Sequence, residues 1–182
     1  SYSMRCGLTD LEGAARTWLH AGGYGNGRLE RMSRTFSYNG GDPPVTLEFD
    51  VAWDSEASYD FTFVKIDVDG TVSTLDSLTG VSPLPTTKTY DLTPYLSGSG
   101  ASAYEIIFEF SSDQLLSDAY GFPTVCAPVI VDNIPVAGGG ENYATDFETR
   151  EDGWAPHMSP PPEYFLVENR QRAKFDRLLP GG

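Results

Sequence analysis

The stretch "WDSEASYD" sets Asp54, Glu56 and Asp60 in one short loop directly after an alternating apolar run. Three carboxylates crowded together offer hard oxygen donors, the donor type that Ca2+ takes along with backbone carbonyls and a distant acid. Asp132, in a late apolar run, is the candidate for that distant acid. A competing reading of the same residues is a polar loop whose acids cap turns and face water. Trp53 and Tyr59 beside this loop, and Tyr120 further on, stand at strand ends or loops where an aromatic ring can stack on a ligand such as a sugar. Their bland alternative is ordinary core packing.

Other chemistries find no support. The chain has two histidines, His20 and His157, and neither belongs to a His-Glu-x-x-His arrangement, so no Zn2+ site is expected. No Gly-x-Ser-x-Gly elbow is present, and neither "GGYGNG" nor "GGG" leads into the Lys-Ser/Thr of a phosphate-binding loop. Glu48 and Asp50 share a strand face, as the paired carboxylates of a jelly-roll glycosidase would. The retaining pattern needs a further glutamate where Trp53 stands, and the alternation turns both acids away from the apolar face. No catalytic residue is assigned. Two cysteines, Cys6 and Cys126, are too few for a disulfide framework; an exported chain could close them into one bridge if their Cα atoms approach within about 7 Å.

The elements that must position these side chains read as β-strands. In "VTLEFDVAW", Val45, Leu47, Phe49, Val51 and Trp53 point one way, while Glu48 and Asp50 point the other. "YEIIFEF" repeats the pattern, with Tyr104, Ile106, Phe108 and Phe110 inward and Glu105 and Glu109 outward. "DFTFVKIDVDGTVSTL" carries Asp69-Gly70 between two β-prone runs, a hairpin signal. "TTKTYDLTPYL" reads as a strand with Pro94 at its end or on an edge, and "CAPVIVDNIPV" as a late strand apolar on both faces. A short helix opening at Thr9 or Asp10 is the main helical signal. Short strands separated by Gly, Pro and Asp turns predict an all-β protein, a jelly-roll β-sandwich with a short C-terminal β extension. The domains expected are an N-terminal segment over residues 1–27 packed on the sandwich, the sandwich itself over 28–137, and a linker with a truncated β module over 138–182. "VAGGGEN" is the flexible break between the last two.

Charge narrows the partners. Residues 35–149 hold eighteen acidic side chains against two basic ones, Lys65 and Lys88, within an overall net charge of −14. Such a body repels nucleic acid and anionic lipid. No apolar run reaches the roughly 20 residues of a membrane span. A soluble extracellular protein is expected, its acidic surface serving either to bind cations or simply to keep a secreted chain well solvated.

The order "FDVAWDSEASYDFTFVKIDVDG", "YDLTPYL", "YEIIFEFSSD", "VIVDNIPV" resembles the MAM-like jelly-roll domain of secreted bacterial immune inhibitor A-type metallopeptidases, a galactose-binding-like fold. The following "DFETREDGW" and "EYFLVENRQRAKFDRLLPG" resemble the small β module that comes next in those proteins. The resemblance covers roughly residues 28 to 182. It implies a non-catalytic accessory region of a secreted zinc endopeptidase, docking substrate or stabilising the parent catalytic domain. It also makes Asp54, Glu56, Asp60 and Asp132 the positions that would hold Ca2+. The zinc-binding helix of that family is missing, so peptidase activity does not carry over to these residues. A free-standing carbohydrate-binding or adhesive module, with an extracellular glycan or protein as partner, is the alternative.

Overall fold

Leu47, Phe49 and Val51 are fully buried while Glu48 between them is exposed, so the alternation read in this stretch does set the faces of a strand. The computed structural model describes residues 4–6, 24–41, 43–116, 128–147 and 152–158. In chain order these form β1 (Met4–Cys6), β2 (Leu29–Ser37), β3 (Thr46–Asp54), β4 (Phe61–Val68), β5 (Thr71–Leu78) and β6 (Val81–Asp91). A single helical turn, α1 (Thr93–Leu96), precedes β7 (Ala103–Ser111), β8 (Val129–Asp132), β9 (Ile134–Gly138), β10 (Glu141–Thr145) and β11 (Ala155–Met158).

The strands make two antiparallel sheets, an all-β sandwich. In the first, β3 is central, with β6 along one side and β8 followed by β9 along the other; β1 pairs with β8 and β10 with β9. The second runs β11-β2-β7-β4-β5. Between them the inward rows interlock: Phe49 of β3 meets Phe108 of β7 edge-on at 4.8 Å, and Phe36 of β2 meets Tyr143 of β10 at 5.4 Å. Tyr104, Ile106, Phe108 and Phe110 all join this core, as the alternation in β7 requires. No helix among the described residues is long and apolar enough to cross a membrane.

Local chemistry sets the turns. Asp69 and Gly70 both take positive φ, 51° and 83°, in the two-residue hairpin between β4 and β5. That is the backbone which matches the right-handed strand twist, and Gly enters it without a Cβ clash. Pro83 and Pro85 lie where β6 carries extra residues: Val51 pairs with Thr86 but Trp53 already with Ser82. Proline cannot donate to the ladder, so the irregularity falls where donors are missing.

Three expectations change. The strand read through "TTKTYDLTPYL" ends at Asp91, and Pro94 lies in the first turn of α1, where its missing N–H interrupts no helical hydrogen bond. "VAGGGEN" is the ordered turn of the β9–β10 hairpin, because Gly138, Gly139 and Gly140 all sit at positive φ. The boundary expected at residue 138 therefore falls inside a hairpin, and β10 and β11 each extend one of the two sheets. The helix expected from Thr9 or Asp10 and the segment "EYFLVENRQRAKFDRLLPGG" lie outside the described residues.

Candidate metal-binding loop cluster

The β3–β4 loop folds tightly on itself. The Glu56 carbonyl accepts from the amides of Tyr59 (3.3 Å) and Asp60 (3.0 Å), and the Ser55 hydroxyl donates to the Asp60 carbonyl (3.2 Å). Thr79, in the β5–β6 turn, braces the loop: its hydroxyl accepts from the Ser58 amide (2.8 Å) and donates to the Glu56 carbonyl (3.2 Å). These bonds swing Asp60 inward, where it is completely buried.

A buried carboxylate must be hydrogen-bonded, and Asp60 is. Its Oδ2 accepts from the Tyr24 hydroxyl at 2.7 Å, and its Oδ1 accepts from the Asp113 amide at 2.8 Å. The Tyr24 oxygen in turn accepts from the Glu56 amide at 2.9 Å. Asp113 lies just past the end of β7, and its own Oδ1 accepts from the Leu115 amide at 2.7 Å. The β3–β4 loop leads into β4, whose first residue, Phe61, pairs with Ser111 at the end of β7, and this brings the two loops together.

Glu56, Asp60 and Asp113 thus each present a carboxylate oxygen, all within 4.8 Å of one another. The Oε2 of Glu56 is shut off from solvent and has no hydrogen-bond donor. Burial, then repulsion from Asp113 and Asp60, pushes the Glu56 carboxyl above its usual value. Three hard oxygens with one unsatisfied atom and a surplus of negative charge suit a calcium ion, with carbonyls and water completing the shell. The lone pairs of Asp60 left over from its two hydrogen bonds remain available for such an ion.

Of the residues singled out in sequence, Glu56 and Asp60 fall in this group. Asp54, at the end of β3, is buried and outside it, its amide donating to the Pro128 carbonyl at 3.3 Å. Asp132 pairs in register with Asp50, and Oδ1 of Asp132 accepts from the Asn133 amide. Four residues of β3 separate that register from Asp54, about 13 Å of strand. Asp113 and Tyr24 complete the group unread. The signal available for Asp113 was its place right after "YEIIFEF", matching that of "WDSEASYD" after β3.

Among the stacking candidates, Trp53 is committed locally. Its Nε1 donates to the Thr79 carbonyl at 3.1 Å, and the Lys88 ammonium stands 5.6 Å from its ring centre. Tyr59 is 62% exposed, while Tyr120 lies outside the described residues. Cys6 is on β1 opposite Val129; Cys126, its candidate disulfide partner, lies outside the described residues.

No protein-family model matches the chain, and no curated protein matches it.

Proposed function

We propose that this chain is a non-catalytic, calcium-stabilised accessory region of a secreted zinc metalloendopeptidase, serving to dock substrate or to steady the parent catalytic domain. The observation that carries the calcium part is the convergence of Glu56, Asp60 and Asp113, with the Oε2 of Glu56 left without a donor. The accessory part rests on the order of motifs that resembles the MAM-like jelly roll of immune inhibitor A-type peptidases. It rests equally on a sequence without His-Glu-x-x-His. The sandwich of two antiparallel sheets suits such a domain, and a jelly-roll path of the chain is part of the proposal.

An ion that binds only the folded state stabilises it by about 2.7 kcal/mol at a hundredfold excess over its Kd. The chain is expected to melt several degrees higher in calcium than in a chelator, with magnesium at equal concentration substituting poorly. Equal melting temperatures in calcium and chelator remove the metal site. Chelator-sensitive proteolysis by this chain alone on a zymogram removes the non-catalytic reading. The exposed Tyr59 is what favours the alternative, a glycan-binding module, and a glycan array without a hit excludes it.

A further inference from the structure

Tyr59, Leu115 and Leu116 are 62%, 65% and 52% exposed, and they occupy the two loops that build the carboxylate group. Tyr59 directly precedes Asp60, and Leu115 follows Asp113 by two residues. These loops are pinned to each other by the bond from the Asp113 amide to Asp60 Oδ1. Leu115 is fixed in turn by its amide bond to Asp113 Oδ1, and Tyr59 by its amide bond to the Glu56 carbonyl. Large apolar side chains are thus presented to solvent by braced backbone, beside an excess of negative charge.

Apolar contacts at the centre of an interface supply most of its affinity, and complementary charge selects the partner. We propose that this loop tip is a docking surface for a cationic, amphipathic polypeptide segment. The partner's apolar side chains cover Tyr59, Leu115 and Leu116, and one of its lysines or arginines reaches Glu56 and Asp113. Charge complementarity selects this occupant: residues 35–149 carry eighteen acids and two bases, a field that attracts a basic segment and repels an anionic bilayer. The inference deepens the docking role proposed above and shares its carboxylates. The partner's cation and Ca2+ compete for the same carboxylates, so calcium weakens the complex.

Calorimetric titration of the full chain with a synthetic amphipathic lysine–leucine peptide tests this. A lysine–serine peptide of equal charge and phosphatidylserine vesicles serve as comparisons. Saturable binding of the lysine–leucine peptide is expected, reduced by calcium. It should weaken about thirtyfold or more, the scale of an interface hot spot, in the variant Tyr59→Ser/Leu115→Ser/Leu116→Asn. Asparagine suits the positive φ of 51° at Leu116. All three side chains are exposed, so the variant keeps its fold and its calcium-dependent melting shift, and that shift is measured alongside. The inference is overturned if the lysine–leucine peptide fails to bind, if lysine–serine binds as tightly, if the vesicles bind more tightly, or if the triple variant binds like the parent. A calcium shift that persists beside any of these results leaves the metal proposal standing. Absence of the shift, with peptide binding intact, sinks the metal proposal alone.

Discussion

Glu56 faces Asp113 and Asp60, and burial together with their charge lifts its pKa above the usual carboxylate value of 4.5. A raised pKa means that the folded chain holds this proton more tightly than the unfolded chain does. Without a cation, stability is therefore highest below the unfolded pKa and falls as pH rises through the raised folded one. Under the calcium proposal, a bound ion would reverse the sign by supplying the missing positive charge. Glu56→Gln is expected to melt higher than the parent in chelator at neutral pH, and to lose the parent's gain on adding calcium. Equal melting of the two proteins in chelator would contradict the repulsion, whatever calcium does. Sequence order made Glu56 and Asp60 legible because one loop carries both. Asp113 was hidden because only the long-range pairing of β4 with β7, which sets Phe61 opposite Ser111, brings that loop alongside. Asp132 was misplaced for the complementary reason: the late strand does lie beside β3, but its register sets Asp132 against Asp50. Glu109 shows the same limit. Alternation correctly turned it outward, yet it is only 6% exposed, because Lys65 and Arg31 close over it. Burial would raise its pKa, but the hydrogen bonds from Lys65 and Arg31 outweigh that and hold it below the usual range.

At the scale of an element, short local codes were readable and long-range pairings were not. The Asp69-Gly70 hairpin needs two residues and their neighbours to specify it. The β9–β10 hairpin has an equally local turn, but a run of three glycines reads the same in a flexible linker and in a tight turn. Contact with another part of the chain decides between them. Gly138 sits at φ 93°, and a Cβ there would strike the Pro44 carbonyl and come within 3.0 Å of Val45 Cα, backbone that cannot swing away. Gly138→Ala is expected to lower stability by about 3 kcal/mol in urea unfolding, combining a left-handed backbone with a steric collision. Gly25→Ala is the control, since its new Cβ would meet only Arg28 Cδ at 3.8 Å, an ordinary contact. Equal costs at the two positions would show that residues 138–140 tolerate change as a linker does.

For the whole molecule, the question is where the folding unit ends. Composition suggested residue 137, but the packing runs on beyond it. Trp154 is 2% exposed, its ring 5.5 Å from that of Phe108, and its Nε1 donates to the Tyr143 hydroxyl at 3.1 Å. The Arg34 guanidinium lies 4.1 Å from the centre of the Tyr143 ring and donates to the Asp152 carbonyl. β2 of one sheet is thereby clamped to β10 of the other, with β11 laid along the edge of β2. Loss of a buried tryptophan alone costs about 3–5 kcal/mol. That is a large share of the roughly 5–15 kcal/mol that holds a typical domain together. A chain ending at Ala137 also gives up β10, β11 and the cover over Phe36. It is expected to lose cooperative melting and to bind a hydrophobic dye, while a chain ending at Met158 melts cooperatively. Sharp melting of the shorter chain near the parent's temperature would restore residue 137 as the boundary. It would also reduce β10 and β11 to an appendage.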